Sequence, residues 1–403
     1  MRKIIVCQTG SRHRYLIPEI LNNNHLLSRL YTDTTAYSVC GKLAKFFYKI
    51  GIRNNILLRI IKRSPNLPKF KLYTTDTLLI KELLYKLFSK DSYQQRLLHY
   101  NGFVNKCISW GVSDSDCIYN MYIENFDFLK YAKSKGAKIV IDIYEIPMTY
   151  KYLIEEIQNN PEYHFFSFKI KSYQYSHDVR MKYINPILKL ADYYTIPSLF
   201  VKKSMSVFKE FDEKKAKLIP YPSSIITTKY NYTPQKHRII WVGNDPVRKG
   251  LLYCAKAADI LIKKYPDLDF RIIGFINEEI KSSESFKNLN FIGILNKEQL
   301  IEEYKNAEVY VFPTLYEGFA GTIIEAASCG CPIITTECSG ADINEFPAIY
   351  IPTKDYLSIV ENVSMIFEDS SLRDNLSQSV YRYSQKLTPK SYEKNIVSFF
   401  QSI

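Results

Sequence analysis

Residues 307–336, AEVYVFPTLYEGFAGTIIEAASCGCPIITT, constrain this chain more than any other stretch, because they read as a strand, a turn and a helix in direct succession. Glu308 to Leu315 is an apolar run rich in β-branched and aromatic residues. Glu317-Gly-Phe-Ala-Gly321 is a glycine-bearing turn, and Thr322 to Cys329 reads as a short helix closed by Gly330. A helix that begins where a strand ends lies at the carboxyl edge of a parallel sheet. Open α/β sheets hold ligands at that edge, and the unpaired N–H groups of a helix start attract phosphate. Glu317 and Glu325 stand eight positions apart around this turn, a layout suited to a sugar that bears a phosphate. Thr322 and Glu325 also satisfy the pattern of a capping box, in which Glu325 does no more than tie off its own helix.

A second strand–loop–helix stands upstream: Ile239 to Gly243 is a buried-type strand, Asn244 to Arg248 a polar loop, and Lys249-Gly250 opens a helix through Leu251 to Lys264. Taken with the run from Glu317 through Glu325 to Cys329-Gly-Cys-Pro332, the chain resembles the large retaining glycosyltransferase family known as family 4, or group 1. The upstream element is similar to that family's strand–Gly–Arg–loop–Lys–Gly element, whose cations hold the donor diphosphate. Asn244 stands where arginine is usual, which leaves Arg248 and Lys249 as the cations for the phosphates. Ala191 to Ser206 is similar to the last strand and helix of the family's first domain, and Lys217 to Pro222 to its interdomain strand, with Pro222 where glycine is usual. Near the amino terminus, strand Lys3 to Cys7 leads into the loop Gln8-Thr-Gly10-Ser-Arg-His13, which in the family lines the cleft.

The resemblance implies the GT-B architecture: two Rossmann-like doubly wound α/β domains facing across a cleft. Residues 1–222 form the acceptor domain, 223–388 the nucleotide-sugar domain, and the amphipathic stretch 389–403 crosses back to the first. Alternating strands near 3–7, 117–122, 138–143 and 192–196, and then near 238–243, 269–273, 290–293, 308–315, 332–336 and 348–351, agree with two parallel sheets. Helices near 15–23, 126–134, 148–158 and 173–190 separate the first set. By resemblance, Glu325 takes the ribose and Glu317 the sugar hydroxyls. Arg248, Lys249 and the amides of Ala320, Gly321 and Thr322 take the diphosphate, Gly243, Asn244, Gly318 and Phe319 complete the donor site, and Glu317, Lys249 and Arg248 are the catalytic groups. Transfer would retain anomeric configuration with no metal and no cofactor, cations and helix dipoles standing in for the metal. Gly10, Ser11, Arg12, His13, Asp142 and Glu145 are the acceptor-side residues; Glu145 also reads as a carboxylate at the start of helix 148–158. The implied partners are a nucleotide sugar and a glycan or lipid-linked acceptor, in cell-surface polysaccharide synthesis. The alternative is a non-catalytic GT-B subunit supporting a partner enzyme, motivated by Asn244 and Pro222.

Composition sets the outer bounds. At 403 residues the chain is long enough for two α/β domains. No stretch reaches the ~18 continuous apolar residues of a spanning helix. Eight cysteines without Cys-x-x-Cys spacing, and six histidines in no ligand pattern, argue for reduced thiols in the cytoplasm and against a structural metal; Cys329-Gly-Cys331 reads as packing, and Asp114-Ser-Asp116 as loop acids. The net charge is +13, and residues 40–90 hold twelve basic residues against Asp76 and Glu82. Lys42, Lys45, Lys49 and Arg53 lie on one helical face and Leu43, Phe46, Phe47 and Ile50 on another, a pattern that suits an anionic membrane surface at the inner face of the cytoplasmic membrane and also a surface helix packed on a globular domain. No nucleic-acid reader motif accompanies the charge.

Overall fold

The structure, a computed structural model, describes residues 2–76, 92–121 and 125–403. Two parallel sheets organise it. The first has β1 (Ile4–Cys7), β2 (Leu27–Thr32), β3 (Leu72–Thr74), β4 (Cys117–Asn120), β5 (Lys138–Asp142), β6 (Tyr193–Ile196) and β7 (Ala216–Leu218) in the order β3-β2-β1-β4-β5-β6-β7. The second has β8 (Gln235–Val242), β9 (Asp269–Ile273), β10 (Asn290–Gly293), β11 (Ala307–Phe312), β12 (Ile333–Thr335) and β13 (Ile349–Tyr350) in the order β10-β9-β8-β11-β12-β13. In both, the order reverses at the first strand, so β1 and β8 mark the switch points where ligands of such sheets bind. Cys7 aligns with Tyr31 on one side and Asn120 on the other, which brings the loops after β1, β2 and β4 out at one edge. β1, β4 and β11 are buried along their whole length, as strands covered by helices on both faces must be.

Local differences from the sequence reading have physical causes. β2 and β3 were not foreseen: Ser28 and Arg29 interrupt the apolar pattern of β2, and β3 is a three-residue edge strand. β11 stops at Phe312 rather than Leu315, because Pro313 has no N–H to extend the ladder and Thr314 N donates back to Phe312 O at 2.8 Å. The long helix expected from 173 starts at Ile170, continuing out of the 3-10 turn Pro161–Lys169. Tyr122, the expected end of β4, and residues 77–90 of the basic segment lie outside the described residues.

The two halves are braced in both directions. Helix Pro389–Ser402 buries Tyr392, Ile396, Phe399 and Phe400 among Ile4, Val6 and Leu21 of the first sheet's core. Phe400 meets Tyr119 edge-on at 5.5 Å, and Asn24 Nδ2 donates to Glu393 Oε1 at 2.9 Å. In the opposite direction, helix Thr149–Asn159 and the 3-10 turn after it place Leu153, Ile157, Tyr163 and Phe166 in the core built on Trp241, Leu251 and Val309. The fully buried Glu156 there accepts from Tyr253 Oη at 2.6 Å and pairs with Lys354 Nζ at 2.7 Å, so a charge that would be costly alone is compensated.

Replacing Phe400 by Ala should cost about 3–5 kcal/mol, the usual loss for a buried phenyl ring. Urea denaturation followed by far-UV circular dichroism measures it, and a loss below about 1 kcal/mol would show that the helix is dispensable to the first domain.

Candidate active site

The loop between β8 and helix Leu251–Lys264 carries Gly243-Asn-Asp-Pro-Val-Arg-Lys-Gly250, and it is held from several sides. Gly250 has φ +70°, and a Cβ there would stand 2.1 Å from Pro313 O, so only glycine lets the helix start abut the end of β11. Trp241 Nε1 donates to Lys249 O at 3.0 Å, while Leu315 N and Thr314 Oγ1 donate to Arg248 O at 2.9 and 3.1 Å. Asp245 accepts from Arg248 N at 3.2 Å and from its Nε at 3.1 Å. From the other half of the chain, Tyr163 Oη donates to Pro246 O at 3.1 Å and accepts from Leu252 N at 3.0 Å.

This loop meets the turn after β11. Arg248 Nη1 lies 2.6 Å from Glu317 Oε1, and Lys249 Nζ lies 4.0 Å from the same oxygen. Burial opposes the charge of Arg248, but Glu317 and Asp245 outweigh it and hold the guanidinium's pKa above its ordinary value. Burial lowers the pKa of Lys249 despite the attraction of Glu317. Its ammonium also stands 5.0 Å from the centre of the Phe312 ring. The turn itself is fixed by Glu317 N to Cys338 O and Ala320 N to Ser339 O, both 2.9 Å, and by Ser198 Oγ to Gly318 O at 2.6 Å. Gly318 packs so closely on the first domain that a Cβ would fall 1.9 Å from Tyr144 O.

The helix after this turn runs Gly321–Ser328 with Ala320 as its N-cap, and no side chain caps it. The capping-box reading of Thr322 and Glu325 is therefore corrected: the helix begins one residue early, and Thr322 Oγ1 instead accepts from Tyr310 Oη at 2.8 Å. Glu325 accepts a hydrogen bond from Ser224 Oγ on the interdomain segment, and burial raises its carboxyl pKa. Asn244 Oδ1 accepts from Phe275 N at 2.7 Å and so joins the loops after β8 and β9.

A cleft of about 490 Å³ joins the halves and is lined by Arg248, Glu317, Gly318 and Phe319 on one side and by Arg12, His13, Tyr144 and Glu145 on the other. Gly10, Ser11 and Asp142 lie outside this lining, as do Gly243, Asn244, Lys249, Ala320, Gly321, Thr322 and Glu325. Gly10 N donates to Asp33 Oδ1 at 2.9 Å, and Ser11 precedes the turn without a capping bond. His13, Arg14 and Tyr15 have φ of 46, 52 and 64°, three successive left-handed residues that cost about 1–2 kcal/mol each. Neighbouring groups hold that backbone in place. The Arg12 guanidinium sits 3.1 Å from the centre of the Tyr144 ring, and His13 lies on Tyr221 at 4.2 Å. Crowding by the cleft walls, with Arg12 beside it, lowers the pKa of His13 although part of its ring stays open to solvent, so the ring is neutral at pH 7.

Glu145 is paired with Arg180 of helix Ile170–Leu190 rather than standing alone at a helix start. Asp142 is buried, accepts from Thr195 Oγ1 at 3.0 Å, and is raised by burial to about 6. Sequence reasoning missed Tyr163, Ser224, Asp245 and Tyr316. The last stacks on Tyr152 at 4.2 Å across the two halves, and of the four only Asp245, three residues before Arg248, had a local signal. Among the described residues no group of three or more histidine, cysteine or acidic side chains could hold a metal ion. Cys329 and Cys331 are buried, and Asp114 and Asp116 both bind Lys3 at the opposite edge of the first sheet.

Residues 236–369 match the family model described as Glycosyl transferases group 1. The N,N'-diacetylbacillosaminyl-diphospho-undecaprenol alpha-1,3-N-acetylgalactosaminyltransferase of Campylobacter jejuni is 24% identical over 52% of this chain and 62% of its own length. The capsular polysaccharide biosynthesis glycosyltransferase CapM of Staphylococcus aureus is 29% identical over 34% of this chain and 39% of its own. The chain thus spans between about two fifths and three fifths of these curated relatives. Over the whole chain the fold matches sucrose-phosphate synthase from Thermosynechococcus elongatus, at TM-score 0.65, 13% identity and 99% of that chain. It also matches Anabaena HepE in complex with UDP-glucose, at TM-score 0.63, 11% identity and 100% of both chains. The architecture is GT-B.

Asp142 makes stability depend on pH. Its pKa is raised from 3.8 to about 6, so its contribution is full below about pH 4 and lost as pH rises through about 6. Asp142→Asn should therefore flatten the fall in melting temperature between pH 4 and pH 7 and leave the variant at least as stable as the parent at pH 8. Lower stability of the variant at pH 8 would contradict this reading.

Proposed function

We propose that this chain, whose residues 236–369 match the model of group 1 glycosyltransferases, transfers a hexose-type sugar from a nucleoside diphosphate to a hydroxyl of a glycan or lipid-linked acceptor. The observation that carries the reading is the convergence of Arg248 and Lys249 on Glu317 at the mouth of an uncapped helix, in a cleft shared with the first domain. Two partly buried cations beside a helix start suit a diphosphate, whose charge grows as the bond from its β-phosphate oxygen to the anomeric carbon breaks. Glu317 then turns to the sugar hydroxyls, and Glu325, held by Ser224, to the ribose. The acceptor oxygen bonds to the anomeric carbon from the face the diphosphate leaves, and its proton passes to the departing phosphate oxygen. Configuration is retained, and no metal takes part. Arg12 and neutral His13 border the acceptor side.

The Campylobacter and Staphylococcus relatives are named for an undecaprenol-linked acceptor and a capsular polysaccharide, which supports a role in cell-surface polysaccharide synthesis. The alternative, a non-catalytic GT-B subunit, rested on Asn244 and Pro222 standing where arginine and glycine are usual. Asn244 has its own work in joining two loops, Arg248 lines the cleft, and Lys249 stands behind it within 4.0 Å of Glu317.

The test is a panel of UDP-, GDP-, ADP- and dTDP-sugars followed by thermal shift and slow hydrolysis. One nucleotide should stabilise the chain; stabilisation by none would sink the enzyme reading. Glu325→Ala should weaken that nucleotide at least about tenfold, the loss expected for hydrogen bonds to a charged group, with little change in melting temperature. Lys249→Ala should lower turnover further than affinity. Activity and affinity both intact in Glu325→Ala would assign that carboxylate to packing alone.

A further inference from the structure

The segment after β2 carries a surface that neither the sheets nor the cleft use. Helix Val39–Lys49 packs on the first domain through Gly41 and Ala44, its buried residues. At 3.6 residues per turn, Val39, Leu43, Phe46, Phe47 and Ile50 form one stripe, and it lies opposite Gly41 and Ala44. Amphipathic surface helices normally turn such a stripe inward. This one turns it to solvent: Phe46 is 57% exposed, Ile50 56% and Leu43 50%. The apolar surface continues past the helix as the exposed Ile52 and Ile56, and no residue of helix Asn55–Ile61 is buried.

Cations frame it. Lys42, Lys45 and Lys49 run along one flank of the stripe, and Arg53, Arg59 and Lys62 follow, all exposed. No aspartate or glutamate occurs from residue 34 to residue 75. We infer that this face docks on an anionic phospholipid bilayer, the apolar side chains entering the headgroup boundary and the lysines meeting lipid phosphates. A second copy of the chain fits it poorly, because symmetric pairing would set these cations against each other. Nucleic acid would leave the exposed phenyl and aliphatic groups in water.

The attachment is built to hold the surface in one place. Asp76 accepts from Val39 N at 2.6 Å and Cys40 N at 3.3 Å, and Asn54 Oδ1 caps the second helix through Leu57 N at 2.8 Å. At the far end Arg63 Nη1 reaches Asp33 Oδ2 at 2.7 Å, and Ala36 N donates to Arg63 O at 2.7 Å. Asp33 is the residue whose other oxygen receives Gly10 N, so the helical hairpin is tied to the loop that borders the cleft. Resting on the glycosyltransferase reading, docking by this face would hold the chain at the bilayer that carries a lipid-linked acceptor.

The full chain should float with vesicles of equal parts phosphatidylcholine and phosphatidylglycerol, and far less with phosphatidylcholine alone. Lys42→Glu/Lys45→Glu/Lys49→Glu should weaken that binding at least about tenfold, and added salt should weaken the parent's. Phe46→Ser/Phe47→Ser should weaken it at any salt. Both variants should keep the parent's melting temperature and nucleotide shift, since the altered side chains are exposed. Equal binding to both vesicle types, or none, overturns the inference; so does a doubled solution mass that Phe46→Ser/Phe47→Ser abolishes, which would assign the face to a second copy. Vesicle binding with a blank nucleotide panel would instead remove the glycosyltransferase reading and leave this surface standing.

Discussion

The site depends on one partly buried charge cluster. Arg248 and Lys249 are drawn out of water at the end of β8, and Glu317 at the end of β11 supplies the carboxylate that makes this tolerable. With Asp245 beside Arg248 the group is formally neutral, two cations against two carboxylates. Removing Glu317 would leave two like charges facing each other in a partly closed site without their counter-charge. Glu317 thus has a structural duty before any ligand arrives: it holds the two strand ends together electrostatically. Under the proposed function, a diphosphate relieves Glu317 of that duty and frees it for the sugar.

Everything around the cluster limits how far it can move. Trp241, Thr314 and Leu315 hold the backbone of the cationic loop from within its own domain, and Tyr163 holds it from outside. Tyr163 belongs to an arm that the first half of the chain sends into the core of the second, while helix Pro389–Ser402 returns the exchange. Gly318 resting on Tyr144 O adds a backbone contact at the cleft itself. The two sheets are therefore coupled through the same residues that shape the site. A shift of the arm would be felt first at Pro246 and Leu252, on either side of Arg248 and Lys249.

What was legible in the sequence was local. The strand–turn–helix around Glu317 and the strand–loop–helix ending in Lys249-Gly250 each announce themselves within a few residues, through apolar runs and glycines that the backbone requires. The pairing of Arg248 with Glu317 was not legible, because it is made by parallel strands adjacent in space and distant in the chain. Tyr163 gave no signal for the same reason. A local pattern also misled: Thr322 and Glu325 have capping-box spacing, yet the helix starts one residue sooner and Glu325 turns to Ser224. β2 was obscured by Ser28 and Arg29, which sit in a strand whose other positions are mostly buried.

The most direct test is a crystal structure of the chain with an intact nucleoside diphosphate sugar. The account predicts phosphate oxygens within hydrogen-bond reach of Arg248 and Lys249, the sugar hydroxyls on Glu317 and the ribose on Glu325. Phosphates bound elsewhere, with the Arg248–Glu317 pair unchanged, would contradict it.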